Sequence, residues 1–134
     1  MITAIDHIVL PAKDLKKTIW FYCDVLGMKL QKFVPPGGGA TRLALSFGQN
    51  KINLHDVNQP YEPHAKVPVA GALDICLLSD EPVDQWCKRL AALGIEVELG
   101  PVPRTGATEP LRSIYLRDPD GNLVEISNLW RSEG

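Results

Sequence analysis

The chain has 134 residues, is 45% hydrophobic and carries a formal net charge of −2 from 14 basic and 16 acidic side chains. That is enough chain for one soluble domain with a real core. The scattered charge excludes a nucleic-acid or anionic-membrane footprint, and the strand-sized apolar stretches are too short to span a bilayer. Met1 runs into a strand pattern without the basic and apolar regions of a signal peptide. Cys23, Cys76 and Cys87 are odd in number and lack metal-finger spacing, so reduced, mostly buried thiols in a cytoplasmic protein are expected.

Residues 4–10 are rich in β-branched side chains and predict a strand that Pro11 ends. Asp14 then caps a helix through Leu26, with Leu15, Ile19, Tyr22 and Leu26 at helical spacing and Gly27 as its stop. Residues 28–34 read as a second strand, 35–39 as a Pro/Gly turn, and 41–47 and 51–57 as two further strands. Residues 58–71 hold Pro60, Pro63 and Pro68 and predict an extended linker. The order then recurs, with a strand at 72–78 and a helix from about 81 to 93, whose stripe is Val83, Trp86, Leu90 and Leu93. A strand at 95–99 and a long loop with Pro101, Pro103 and Gly106 follow. A hairpin of 113–117 and 122–127 closes the chain across Asp118-Pro119-Asp120-Gly121, a type I turn.

His7-Ile8-Val9-Leu10 opens the first half and Asp74-Ile75-Cys76-Leu77 the second, an offset of 74 − 7 = 67 that Gly27 and Gly94 repeat. Such a repeat constrains the whole architecture. Two copies predict an α+β fold of paired βαβββ modules forming a curved eight-stranded sheet with a cup-shaped site. Module one covers about residues 1–58, the linker about 59–71 and module two about 72–134.

Glu125 sits mid-strand in Leu123-Val124-Glu125-Ile126-Ser127, with its apolar neighbours pointing the other way. A carboxylate facing inward needs a partner. Asn53 and His55 lie two apart on the fourth strand and share a face, and aligning Ile52-Asn53-Leu54 with Val124-Glu125-Ile126 makes Asn53 the counterpart of Glu125. Equivalent sheet positions thus carry His7, Asn53, Asp74 and Glu125, with His55 adjacent. Mixed imidazole and carboxylate donors suit a divalent ion such as Mn, Fe, Ni or Zn.

The Asp6-His7-Ile8 opening, Phe21-Tyr22 through Val25-Leu26-Gly27-Met28, and Arg117-Asp118-Pro119-Asp120-Gly121-Asn122-Leu123-Val124-Glu125 together resemble the vicinal oxygen chelate superfamily. Its members include glyoxalase I, extradiol dioxygenases, methylmalonyl-CoA epimerase and the fosfomycin- and bleomycin-resistance proteins. Asn53-Leu54-His55, Leu73 to Leu77 and Gly100 to Ala107 are similar to the glyoxalase domain-containing protein 5 type. The resemblance implies a metal in the cup on strands one, four, five and eight, with His7 and Glu125 in two ligand slots. Asn53 stands where glyoxalases have Glu or Gln, and Asp74 where they have His. Pro11 replaces the arginine that many bacterial glyoxalases use for the thiol substrate's carboxylate.

These readings lead to a glyoxalase-like, metal-dependent lyase or isomerase of the lactoylglutathione lyase type, acting on a small chelating oxygenated substrate. His7, His55, Asp74 and Glu125 are the expected metal ligands, with Asn53 as the alternative to His55 and as a substrate contact. Glu125 is the expected base, and Arg104 in its loop pairs with an anionic substrate group. The alternatives are a metal-free protein that sequesters a drug or metabolite, and a dioxygenase. A homodimer is expected, by analogy with related chains of two modules. Trp20, Trp86 and Trp130 are expected to pack, Trp130 at an interface.

Overall fold

The computed structural model describes residues 1–130; the last residues of the predicted second module lie outside them. The chain forms two compact units, Met1–Ala72 and a second beginning at Leu73. Each contains a four-stranded mixed sheet built by one βαβββ copy, which is the α+β class read from the repeat.

In the first unit β1 (Ile8–Ala12), β2 (Lys29–Phe33), β3 (Arg42–Phe47) and β4 (Asn50–Asp56) lie in the order β1-β4-β3-β2. β1 pairs with β4 in parallel, and the other two pairings are antiparallel. Pro11 does not end β1 but pairs with His55 inside it, because an edge strand tolerates a residue without an N–H. Asp14 caps α1 (Leu15–Ile19), its carboxylate accepting from the Lys17 amide at 3.1 Å. The helix then changes type. Residues Trp20–Val25 are π-helical, with the Leu26 amide bonded to the Phe21 carbonyl, a wider winding that apolar spacing does not reveal. Phe21, Tyr22 and Val25 are buried, as are Leu10, Ala12, Leu45, Ile52 and Leu54 of the sheet.

The second unit repeats the order as β5-β8-β7-β6, from β5 (Asp74–Leu78), β6 (Leu99–Thr105), β7 (Pro110–Arg117) and β8 (Leu123–Leu129). α2 (Val83–Ala92) packs on β7 and β8, burying Val83, Trp86 and Leu90 with Ile114, Leu116, Val124 and Ile126. The predicted long loop after Leu99 is instead β6. Pro101 and Pro103 fit because β6 is an edge strand, and the register shifts between Leu99 and Val102. Gly100 permits that irregularity: a Cβ there would meet the Ser113 carbonyl oxygen at 2.4 Å, and its φ is +113°.

Pro82, the residue before α2, offers no side-chain cap. Asn128 of β8 supplies one from across the fold: Oδ1 accepts from the Val83 amide at 2.8 Å, and Nδ2 donates to the Ser79 and Glu81 carbonyls. Asn128→Ala is expected to cost about 1–3 kcal/mol by chemical denaturation. Asn128→Asp, which keeps the acceptor and loses the donors, should recover part of that loss.

Candidate functional site

Alternation along the strands divides each sheet into an apolar side and a polar side. In the second unit Val124 and Ile126 are buried at 0% and 2% exposure, and Glu125 between them faces the opposite way. Strand register aligns Cys76 with Glu125 and Glu125 with Tyr115, so β5, β8 and β7 present them in one row. Asp74 lies two residues before Cys76 on the same face, and it is exposed.

Glu125 is half-buried within a hydroxyl network. The Ser127 hydroxyl donates to Glu125 Oε2 at 3.3 Å, lies 2.6 Å from the Ser113 hydroxyl and 3.2 Å from Cys76 Sγ. Arg104 Nε donates to the Tyr115 hydroxyl at 2.8 Å and Nη1 to the Pro103 carbonyl at 2.9 Å. Arg104 is thus placed by β6, not by a loop, and two of its nitrogens serve the protein itself. Burial raises the Tyr115 phenol above its ordinary pKa; the Arg104 bond opposes this, and Glu125 adds to it by hydrogen bond and charge. Desolvation likewise raises the Cys76 thiol, the Ser127 bond opposes this, and Glu125 adds to it.

The first unit carries the same plan. Val9 aligns with Asn53 as Cys76 aligns with Glu125. Asn53 and Glu125 therefore hold one register position, and His7 and Asp74 each lie two residues before the paired residue. His7 stands just ahead of β1, and its Nδ1 lies 2.8 Å from Asp6 Oδ1. Asn53 Oδ1 is buried with no hydrogen-bond partner, and neither ring nitrogen of His55 has one. His55 is 1% exposed. Its ring centroid lies 4.6 Å from that of Tyr61 and 5.8 Å from that of His64. Desolvation lowers its pKa, followed by the charges of His64 and Arg42, with Asp56 acting the other way.

The donors of each unit are of the types that a divalent ion takes. The Asp6 carboxylate on His7 Nδ1 leaves Nε2 for a metal, the carboxylate support that histidine ligands use. Asn53 Oδ1 is an orphaned buried acceptor of the kind a cation satisfies. Asp74 and Glu125 add carboxylates. Among the described residues no group of three or more His, Cys, Asp or Glu comes together as a metal cluster.

Some expectations are corrected. The thiols are free but not buried: Cys23 and Cys87 are partly exposed and Cys76 exposed on the polar face. Trp86 packs, whereas Trp20 is 43% exposed; Trp130, expected to be free for an interface, is 48% exposed. Tyr115, Ser127 and the site position of Cys76 follow from their lying two residues from Ser113, Glu125 and Asp74 on the same strands, whereas Arg42, with Ala44 two residues on, carries no such signal. A depression lined by Ser79, Asp80, Pro82, Asn128 and Leu129 adds no site, since Asn128 there is spent on capping α2. No helix among the described residues is long and apolar enough to cross a membrane.

Residues 4–126 match the family model described as Glyoxalase/Bleomycin resistance protein/Dioxygenase superfamily. The chain is 44% identical over 127 residues to Virulence protein STM3117 of Salmonella typhimurium, covering 95% of this chain and 85% of that protein. It is equally 44% identical over 127 residues to Glyoxalase domain-containing protein RDO1 of Mycosarcoma maydis, covering 95% and 69%. A solved integron cassette protein from the mobile metagenome of V. cholerae has a TM-score of 0.89 at 42% identity, over 97% of this chain and 98% of that one. More distant relatives are Metallothiol transferase FosB of Staphylococcus epidermidis, 29% identical with 93% and 81% covered, and Probable lactoylglutathione lyase of Synechocystis, 26% identical with 90% and 91% covered.

The neutral, buried His55 has a consequence for stability. Its folded pKa lies below the ordinary 6.5, so the unfolded chain binds more protons as pH falls through about 6.5, and stability drops over that window. The loss should level off below the folded pKa. His55→Phe is expected to flatten this part of the stability–pH curve measured by urea unfolding, relative to wild type. Parallel curves for the two proteins would count against a neutral, desolvated His55.

Proposed function

Because the chain belongs to the glyoxalase/bleomycin resistance protein/dioxygenase superfamily, we propose that it is a metal-dependent lyase or isomerase of the glyoxalase type. Its substrate would be a small molecule with two neighbouring oxygens. The observation that carries this reading is the register equivalence of Asn53 and Glu125, oxygen donors on the polar sheet faces, one of them buried without a partner. Relatives named metallothiol transferase and probable lactoylglutathione lyase support it.

The proposed donors are His7 and Asn53, the alternative to His55, in the first unit, and Asp74 and Glu125 in the second. A bound divalent ion (Ni, Zn, Mn or Fe) would polarise the two substrate oxygens and so acidify the carbon beside them. Glu125 is the proton carrier in this proposal. It accepts the proton from that carbon and returns it to the neighbouring one, so the isomerisation consumes no net acid or base. The Ser127 hydroxyl on Oε2 orients the carboxylate. Arg104 holds the Tyr115 hydroxyl beside Glu125 and keeps Nη2 for an anionic group of the substrate.

The proposal places the enzyme in the cytoplasm as a homodimer. Three free cysteines accord with a reducing compartment. The exposure of Val9, Leu78 and Leu129, from 36% upward, accords with faces that a second copy covers.

Elemental analysis of protein purified without chelator should find bound divalent metal, and chelation should abolish a turnover that metal restores. The glutathione–methylglyoxal adduct is the first substrate to assay, with weak activity expected because Pro11 lacks the arginine's charge. Glu125→Gln should lower kcat by about 10²–10⁴-fold with the circular dichroism spectrum unchanged. Equal turnover by this variant would remove Glu125 from the role, and ligand binding without metal or turnover would make the protein a binder.

A further inference from the structure

The sheet of the first unit holds a row that the proposed proton transfer leaves unused. Pro11 of β1 is the partner of His55 on β4. The β3/β4 register pairs Ala44 with Asn53, and followed two residues further it sets Arg42 opposite His55, on the same face as Asn53. The Arg42 guanidinium lies over the Tyr61 ring, 3.7 Å from its centroid. The Tyr61 ring in turn meets the His55 ring at an angle of 62°, with centroids 4.6 Å apart. No carboxylate pairs with Arg42 among the described residues.

Two features of this row suit a ligand. Both nitrogens of the His55 ring are buried without a partner, although a phenylalanine would fill the same space without leaving polar atoms unmade. The guanidinium rests on the Tyr61 ring with no carboxylate partner among the described residues, and a guanidinium fork fits a carboxylate in two parallel hydrogen bonds. One formal charge on Arg42 balances one negative charge. We infer that Arg42 and His55 form a subsite for the carboxylate of a small organic monoacid, Arg42 taking it bidentately and the imidazole N–H adding a third bond. This deepens the proposed function by naming a substrate class. It rests on that reading only in taking the ligand for the substrate, since the binding itself needs neither metal nor turnover.

The test uses the full chain after chelator treatment, labelled with nitrogen-15 in its histidines. Sodium L-lactate is the probe, lactamide its neutral counterpart and inorganic phosphate the competing anion. Lactate should shift the His55 ring-nitrogen resonances saturably, and lactamide should not. By calorimetry, Arg42→Met and His55→Phe should each weaken lactate about tenfold or more, Arg42→Lys should restore little, and His55→Phe should raise Tm. Absence of a saturable shift, equal binding of lactamide, or wild-type affinity in Arg42→Met would overturn the subsite. Tighter binding of phosphate through the same two residues would overturn the carboxylate class. Lactate binding in a protein without lyase turnover would refute the enzymatic reading alone, and turnover without such binding would refute this inference alone.

Discussion

Val9 lies against Asn53, and Cys76 against Glu125, because the first and last strands of each unit pair in parallel in one register. With side chains alternating every residue, that register decides which residues enter the core and which line the polar face. Leu10, Ile52 and Leu54 go to one side, Asn53 and His55 to the other; Ile126 and Val124 go one way, Glu125 and Ser127 the other. A slip of one residue would bury the carboxylate and expose the isoleucine. The apolar core and the polar site are therefore specified by one pairing, and neither can shift without the other.

The Asp118-Pro119-Asp120-Gly121-Asn122 segment serves that pairing. Asp118 Oδ1 accepts from the Asp120 and Asn122 amides, each at 2.9 Å, and its Oδ2 accepts from Asn122 Nδ2 at 2.7 Å. Asn122 Oδ1 then takes the Leu73 amide at 2.8 Å, and the Leu123 amide returns to the Leu73 carbonyl. Both side chains are buried, at 5% and 1% exposure. The turn thus ties the start of β5 to the start of β8, one residue before Asp74 and three before Glu125. Its acid is structural, a buried charge stabilised by amides that converge on it.

Glu125 was legible because an acid between Val124 and Ile126 on a strand must face away from the core. Asn53 was legible as its counterpart because the repeat maps one last strand onto the other. Pro101 and Pro103 argue for a loop around Arg104, and only the sheet order reveals that β6 is an edge where proline is tolerated. The π-helical turn escaped for a similar reason: Leu15, Ile19, Tyr22 and Leu26 fit an α-helical stripe, and the wider winding is visible only in the bond from Leu26 to Phe21. Tyr115 and Arg42 gain meaning from neighbours on other strands, Glu125 for the one and His55 for the other.

By itself, the sequence determined the duplicated βαβββ order, the α+β class and the residues that alternate out of the core. These follow from local periodicity and from one segment's likeness to another. Only the tertiary structure decided that His55 is buried with both nitrogens unpartnered, that Asn53 keeps an orphaned oxygen, and that Arg104 bonds Tyr115. Desolvation and hydrogen bonding depend on which strands become neighbours, and residues brought together from β3, β4 and the segment beyond carry no common pattern along the chain.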